Sequence, residues 1–247
     1  AYKPSVRAVP NAYVIERGPY CDQCHKCEGV CPTKAINLDA EDWFEEIHVG
    51  AIILTVGYQL YDATGAEEFG YGRYPNVVTG LQFERLASRS GPTEGIVERP
   101  SDGKIPQRIA WLQCIGSRDK EHPYCSSICC MYATKEAVLA KEHSGGAVDA
   151  TIFYMDMRTF GKDFQRYRDR AEQELGVRFV RSRVHSVEPD GNGGGLRLGY
   201  TDINGRMQVE FADLVVLATG QRPPHGTAAL AEMTGVGLNP WGFCRSE

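Results

Sequence analysis

The sequence predicts an α/β protein: a body built on a parallel sheet, preceded by a small cysteine-rich α+β segment. Two unbroken apolar runs point to the sheet. Residues 49–57 (Val-Gly-Ala-Ile-Ile-Leu-Thr-Val-Gly) and 212–220 (Ala-Asp-Leu-Val-Val-Leu-Ala-Thr-Gly) both end in a threonine–glycine turn, at Thr55 and Gly57 and at Thr219 and Gly220. Runs of this kind suit strands buried on both faces. Between them the order strand, helix, strand, helix, strand, β-meander, strand can be read, which is the layout of a nucleotide-binding unit.

The chain has 247 residues, enough for one large core or two modest ones. Its 42% hydrophobic and 24% charged content is ordinary for a globular domain. A net charge of −5 argues against nucleic acid as a partner. No apolar run reaches the roughly 20 residues of a membrane span, and no signal peptide is legible. Eight of the nine cysteines fall in two tight groups and only Cys244 stands alone. Grouping favours metal or cluster ligation over structural disulfides, and implies a reducing, cytoplasmic setting.

Taken in order, residues 1–19 are irregular, broken by Pro4, Pro10 and Pro19, with a short strand expected at Tyr13–Ile15. Residues 21–32 read C-D-Q-C-H-K-C-E-G-V-C-P. Cys21, Cys24, Cys27 and Cys31 have the Cys-x2-Cys-x2-Cys-x3-Cys-Pro spacing of bacterial iron–sulfur ferredoxins, in which tight turns wrap three thiolates round one cubane. Either Cys31 closes that cluster, or it ligates one shared with an upstream motif. The acidic run 40–46 reads as a solvated face. A helix is expected near Thr79–Ser88, with Leu81, Phe83, Leu86 and Ala87 facing the core, and 95–107 reads as a linker.

The most informative stretch is 108–135. Ile109–Leu112 reads as a strand and Ser126–Lys141 as a helix. A dinucleotide fold places its phosphate-binding glycines between two such elements. Here that place holds Gln113-Cys114-Ile115-Gly116-Ser117-Arg118-Asp119, with a single glycine, which argues against NAD(P) binding there. Cys114, Cys125, Cys129 and Cys130 admit three readings: a cubane cluster, a redox disulfide or zinc. A cubane needs four thiolates brought together, and a strand end, a loop and a helix start can supply them. Against a disulfide stand the absence of Cys-x-x-Cys in this group and the strain of bridging Cys129 to Cys130. Arg118 and Asp119 either tune the site or cap the loop by pairing with each other. Downstream, strands are expected at 148–154, 177–180 and 214–217, a helix at 164–175, and a hairpin arm at 184–188 and 196–200. The run Asp190–Gly195 reads as a flexible turn.

These residues together resemble the A-subunit of heterodisulfide reductase and its relatives in quinone-interacting membrane-associated oxidoreductases. The resemblance is carried by Gln113-Cys114-x-Gly116-Ser117-Arg118-Asp119, by Tyr124-Cys125-Ser126-x-x-Cys129-Cys130, by the ferredoxin motif and by Ala218-Thr219-Gly220, all in matching order. It implies a thioredoxin-reductase-like, Rossmann-type FAD/NAD(P)-binding body with a small ferredoxin-like segment. It further implies an atypical [4Fe–4S] cluster on Cys114, Cys125, Cys129 and Cys130, and FAD passing Thr55, Gly57, Thr219 and Gly220. One or two [4Fe–4S] clusters are expected in this chain. The domains expected are 1–47, ferredoxin-like; 48–106, part of the FAD-binding domain and linker; 107–211, the NAD(P)-domain-like unit with the atypical cluster; and 212–247, the return to the FAD-binding domain. The function implied is electron transfer among FAD, clusters and partner subunits of the heterodisulfide reductase B and C kind, in flavin-based bifurcation or quinone-linked transfer. The alternatives are a structural docking module and a pyridine-nucleotide disulfide reductase. The amino-terminal G-x-G-x-x-G of the family is missing and the chain stops at Gly242-Phe243-Cys244 and three further residues, so it reads as an internal fragment or a split subunit.

Overall fold

The computed structural model describes residues 21–39, 46–191 and 193–245. The short strand expected at Tyr13–Ile15 and most of the acidic run lie outside them. The chain divides into two compact units, Ala1–Thr55 and Val56–Glu247. Among its described residues the first holds a short helix, α1 (Lys26–Val30), inside the ferredoxin-type motif.

The second unit is α/β. After β1 (Gln59–Leu60) come β2 (Val77–Thr79), α2 (Gly80–Ala87), β3 (Arg108–Ile115), α3 (Cys129–His143) and β4 (Asp149–Tyr154). Then follow α4 (Phe164–Gln173), β5 (Arg178–Arg181), the meander β6 (Val184–Pro189), β7 (Leu196–Thr201) and β8 (Met207–Ala212), β9 (Leu214–Thr219), β10 (Gln221–Arg222) and α5 (Thr227–Thr234). β2, β9, β3, β4 and β5 pair in that order into one sheet. Every pairing is parallel, with Trp111 of β3 opposite Val216 of β9 on one side and Ile152 of β4 on the other. The meander forms a separate antiparallel sheet.

Alternation along each strand explains the layers. Ile109, Trp111, Ala150, Ile152, Leu214 and Val216 turn to the helical face, where Phe83, Ala133, Ala137 and Ala140 meet them. Ala110, Leu112, Phe153, Val215 and Leu217 turn the other way, onto Val187, Leu196 and Leu198 of the meander. With both faces covered, β9 is buried at every position. That is why its sequence is a continuous apolar run.

α2 starts at a capping box: the Thr79 hydroxyl accepts from the Gln82 N–H at 3.3 Å, and Gln82 Oε1 accepts from the Thr79 N–H at 2.9 Å. Its buried side is Gly80, Phe83 and Ala87, three and four residues apart, whereas Leu81, expected in the core, is 48% exposed. Gly80 is needed for close packing, because a Cβ there would lie 2.9 Å from the Tyr132 ring and 3.1 Å from Glu136 Oε1 on α3. Glu136 is itself fully buried and accepts from the Trp111 indole N–H at 2.8 Å. Burial pushes its carboxyl well above the usual range, and the indole N–H only partly offsets this.

One expected strand does not form. Residues 51–58 have no regular structure, and Val49, Ile52, Ile53 and Val56 are exposed. An apolar strand needs ladder partners and two apolar faces, and among the described residues none pairs with this run. The chain regains pairing only at β1, antiparallel to β10.

Two outcomes are expected. Thr79→Ala removes the cap and lowers stability by about 1 kcal/mol in denaturant unfolding. For Glu136 the folded carboxyl titrates above its unfolded value of 4.5, so its contribution is complete below about pH 4.5 and is lost as pH rises toward the folded value. Unfolding midpoints measured across pH are therefore expected to fall less steeply for Glu136→Gln, which still accepts from Trp111. Glu136→Ala strands that indole N–H and is expected to cost about 1–3 kcal/mol below about pH 4.5, the difference from the parent shrinking as pH rises.

Candidate functional site

The site lies where β3 and β9 end. β3 shifts register between Leu112 and Ile115, and Cys114 has φ +61°. Arg118 and Ser127 are also at positive φ, +57° and +61°. Left-handed conformations cost non-glycine residues about 1–2 kcal/mol each, and such strain concentrates at functional loops. Here it turns the chain so that Cys114, from the strand, meets Cys129 and Cys130, from the start of α3. All three are at most 3% exposed. Adjacent Cys129 and Cys130 both reach the site because α3 begins at Cys129, with Ile128 outside the helical region at φ −120°.

The Cys129 thiol faces those of Cys114 and Cys130. Those two neighbours hold the Cys129 thiol far below its usual range, at about 3, and its proximity together with burial drives Cys114 and Cys130 far up. Three buried thiols in mutual contact share protons, so by themselves only one ionises. A bound cationic metal core would deprotonate all three. Cys125, on the loop, is half-buried and its sulfur accepts from the Ser127 N–H at 3.3 Å. Among the described residues, no three or more His, Cys, Asp or Glu side chains meet as ligands of a single metal ion.

Around these cysteines lie polar atoms that are buried without a hydrogen-bond partner: Gln113 Oε1, Ser117 Oγ, Arg118 Nη1, Ser126 Oγ and Arg158 Nε. Buried polar groups in folded proteins are nearly always satisfied, so a group of orphans calls for an absent partner. Four of the five are donors. An inorganic core with sulfide acceptors and iron for the thiolates answers the four donors and the shared protons. The residues present therefore fit an iron–sulfur group.

The Ala218-Thr219-Gly220 turn closes one side. Ala218 packs with Cys129 and Cys130. The Gly220 N–H donates to Ile115 O at 2.7 Å, and a Cβ on Gly220 would fall 2.7 Å from Gly116 O. Tyr132 Oη donates to Thr219 O at 3.4 Å. Thr219 and Gly220, anticipated from sequence, are thus brought against the cysteine loop. Arg222 ties the far side, donating to Gly116 O and to Tyr124 Oη, both at 2.8 Å, and lying over the rings of Tyr61 and Tyr124.

The other anticipated residues are distributed over both units. Thr55 is an exposed residue of the first unit, and Gly57 is exposed at φ +73° in the second. In the first unit Cys24 is exposed, and Cys21, Cys27 and Cys31 are half-buried. Gln23 and His25 are at positive φ, +55° each, as tight wrapping turns require. The Cys31 thiol is lowered by the Thr33 hydroxyl and by the Ala35 N–H, which donates to its sulfur at 3.4 Å. His25 is held by Glu28, 2.7 Å away. Cys244 is an exposed thiol.

Arg118 does not pair with Asp119. Asp119 accepts from the His122 N–H at 2.6 Å, while Arg118 Nη2 donates to Asp156 Oδ2 at 2.6 Å. Asp156, Arg222 and Tyr61 were not anticipated at the site. For Asp156 a signal existed, since it lies two residues past the end of β4, at the carboxyl edge of the sheet, where such folds bind ligands.

No family model matches the chain. Individual proteins do. The iron–sulfur A-subunit of CoB–CoM heterodisulfide reductase from Methanocaldococcus jannaschii is 42% identical over 246 residues. The A-subunit of an H2:CoB-CoM heterodisulfide,ferredoxin reductase from Methanothermobacter marburgensis is 40% identical over 247. Each alignment covers 98% of this chain and 37% of the relative. The A-subunit of a ferredoxin/F420H2-dependent CoB-CoM heterodisulfide reductase from Methanosarcina acetivorans is 36% identical, over 99% of this chain and 31% of its own. Among solved structures, a thioredoxin reductase from T. acidophilum superimposes at a TM-score of 0.44 and 12% identity, covering 76% of this chain and 49% of that one. The chain spans about a third of the length of the relatives it matches, and over that stretch it resembles the A-subunits of heterodisulfide reductases.

Proposed function

We propose that this chain is an electron-transfer part of an iron–sulfur flavoprotein oxidoreductase of the heterodisulfide reductase A kind. Cys114, Cys125, Cys129 and Cys130 would hold one [4Fe–4S] cluster, and Cys21, Cys24, Cys27 and Cys31 a second, of ferredoxin type. Thr219 and Gly220, with Thr55 and Gly57, would contact FAD. The observation that carries this reading is the meeting of three buried thiols with five unpartnered polar atoms where β3 and β9 end. When bound, the clusters take up and release single electrons and the flavin exchanges pairs with singles.

The chain's own residues supply ligands, exclude water and fix charge. Cys114 and Cys129 come from β3 and α3, two buried elements, so the thiols are held by the core rather than by a mobile loop. Ser117 and Ser126 hydroxyls offer donors to the bound group. Tyr132 and Ala218 close the site between α3 and β9. The partners proposed are other subunits of a cytoplasmic redox complex, of the heterodisulfide reductase B and C kind. Bifurcation or quinone-linked transfer would belong to that whole assembly. Among the described residues no helix is long and apolar enough to cross a membrane.

Iron, sulfide and flavin measured per chain after anaerobic purification test the reading. About eight irons are expected for two cubanes, and Cys129→Ser is expected to remove about four while Cys244→Ser removes none. Zinc in place of iron, or equal loss from both variants, would refute the assignment. Iron without flavin would leave the cluster assignment standing and favour the docking-module alternative, with the flavin contacts completed by another part of the full-length protein.

A further inference from the structure

We propose that Arg118 and Asp156 form an opposed charge pair that sets the reduction potential of the iron–sulfur group on Cys114, Cys125, Cys129 and Cys130. Arg118 raises the potential and Asp156 lowers it. This rests on the cluster assignment above and goes beyond it, because it gives two non-ligand residues a defined electrostatic role.

The geometry is specific. Arg118 Nη2 is held by Asp156 Oδ2 at 2.6 Å, which aims the rest of the guanidinium. Its Nη1 is buried with no acceptor, and Arg118 stands on the Cys114 loop, where the neighbouring Ser117 N–H donates to Cys114 O at 3.3 Å. Asp156 also touches the site through its main chain: its carbonyl oxygen lies 3.7 Å from Cys130 Sγ. Its second carboxylate oxygen accepts from Arg181 Nη2 at 3.2 Å. The three side chains together carry one net positive charge. Arg118 is the most buried, at 23% exposure against 45% and 68% for Asp156 and Arg181, so its charge is the least screened.

The step concerned is the gain of one electron by the bound group, without a proton. It adds one negative charge beside Arg118. A nearby cation stabilises the reduced form and an anion opposes it. Loop integrity does not depend on the Arg118 side chain, since its N–H donates to Tyr124 O at 3.0 Å and Arg222 holds Gly116 O.

The test is a mediated redox titration of the anaerobically purified full chain with dithionite, read by electron paramagnetic resonance beside an iron assay. Arg118→Gln is expected to shift the reduction equilibrium about tenfold toward the oxidised form, 59 mV for one electron. Asp156→Asn is expected to shift it the opposite way, and Arg118→Lys to stay near the parent. Shifts of the same sign in Arg118→Gln and Asp156→Asn, or none while iron is retained, overturn the proposal and leave the cluster assignment intact. Should Arg118→Gln lose iron, an unmoved potential in Asp156→Asn overturns it equally. A parent chain without iron overturns the cluster assignment and this proposal together.

Discussion

The site depends on two parallel strands ending side by side. β3 and β9 pair in register from Ile109 and Leu214 to Leu112 and Leu217, shift between Leu112 and Ile115, and the Gly220 N–H then donates to Ile115 O. That pairing fixes the Ala218–Gly220 turn against the Cys114–Ser117 loop at a distance only glycine permits. Because both strands are buried on both faces, neither end can move without disturbing the core. The thiols of Cys114, Cys129 and Cys130 therefore inherit the rigidity of the sheet and of α3, which packs on it. For electron transfer this matters physically, since a group whose ligands do not reorganise changes oxidation state at little structural cost.

The same burial makes the site incomplete as bare protein. Thiols in mutual contact away from water cannot all ionise, and serine, arginine and glutamine atoms lie around them unsatisfied. Such a pocket is an unfavourable place for protein alone and a favourable one for a group that brings positive iron and acceptor sulfides. Backbone strain at Cys114, Arg118 and Ser127 points the same way. The core carries a smaller example of the same tension at Glu136, a carboxyl kept buried and served by a single indole donor.

Much of this was legible residue by residue. Unbroken apolar runs and the order of the elements pointed to the parallel strands and the meander, and cysteine spacing marked both sulfur groups. The strand expected at 49–57 failed for an instructive reason: its apolar composition describes a strand with neighbours, and among the described residues none pairs with it. Leu81 was misplaced because an eight-residue helix shows too few turns for its buried face to be read from periodicity alone. Arg118 was offered Asp119 as a partner because adjacency is visible in a sequence. Asp156, 38 residues on, becomes its neighbour only once β3 and β4 lie side by side.

By itself the sequence determined which residues can be buried, which strands are two-sided, and that eight cysteines fall in two groups with different spacing. These are local properties, set by side-chain chemistry and short-range geometry. Tertiary structure decided that Cys114 meets Cys129 and Cys130, that Thr219 and Gly220 lie against them, and that Arg118 answers to Asp156. Those are encounters between segments distant along the chain. Strand order and the register of β9 between β2 and β3 fix them, through hydrogen bonds and packing that no stretch of sequence contains alone.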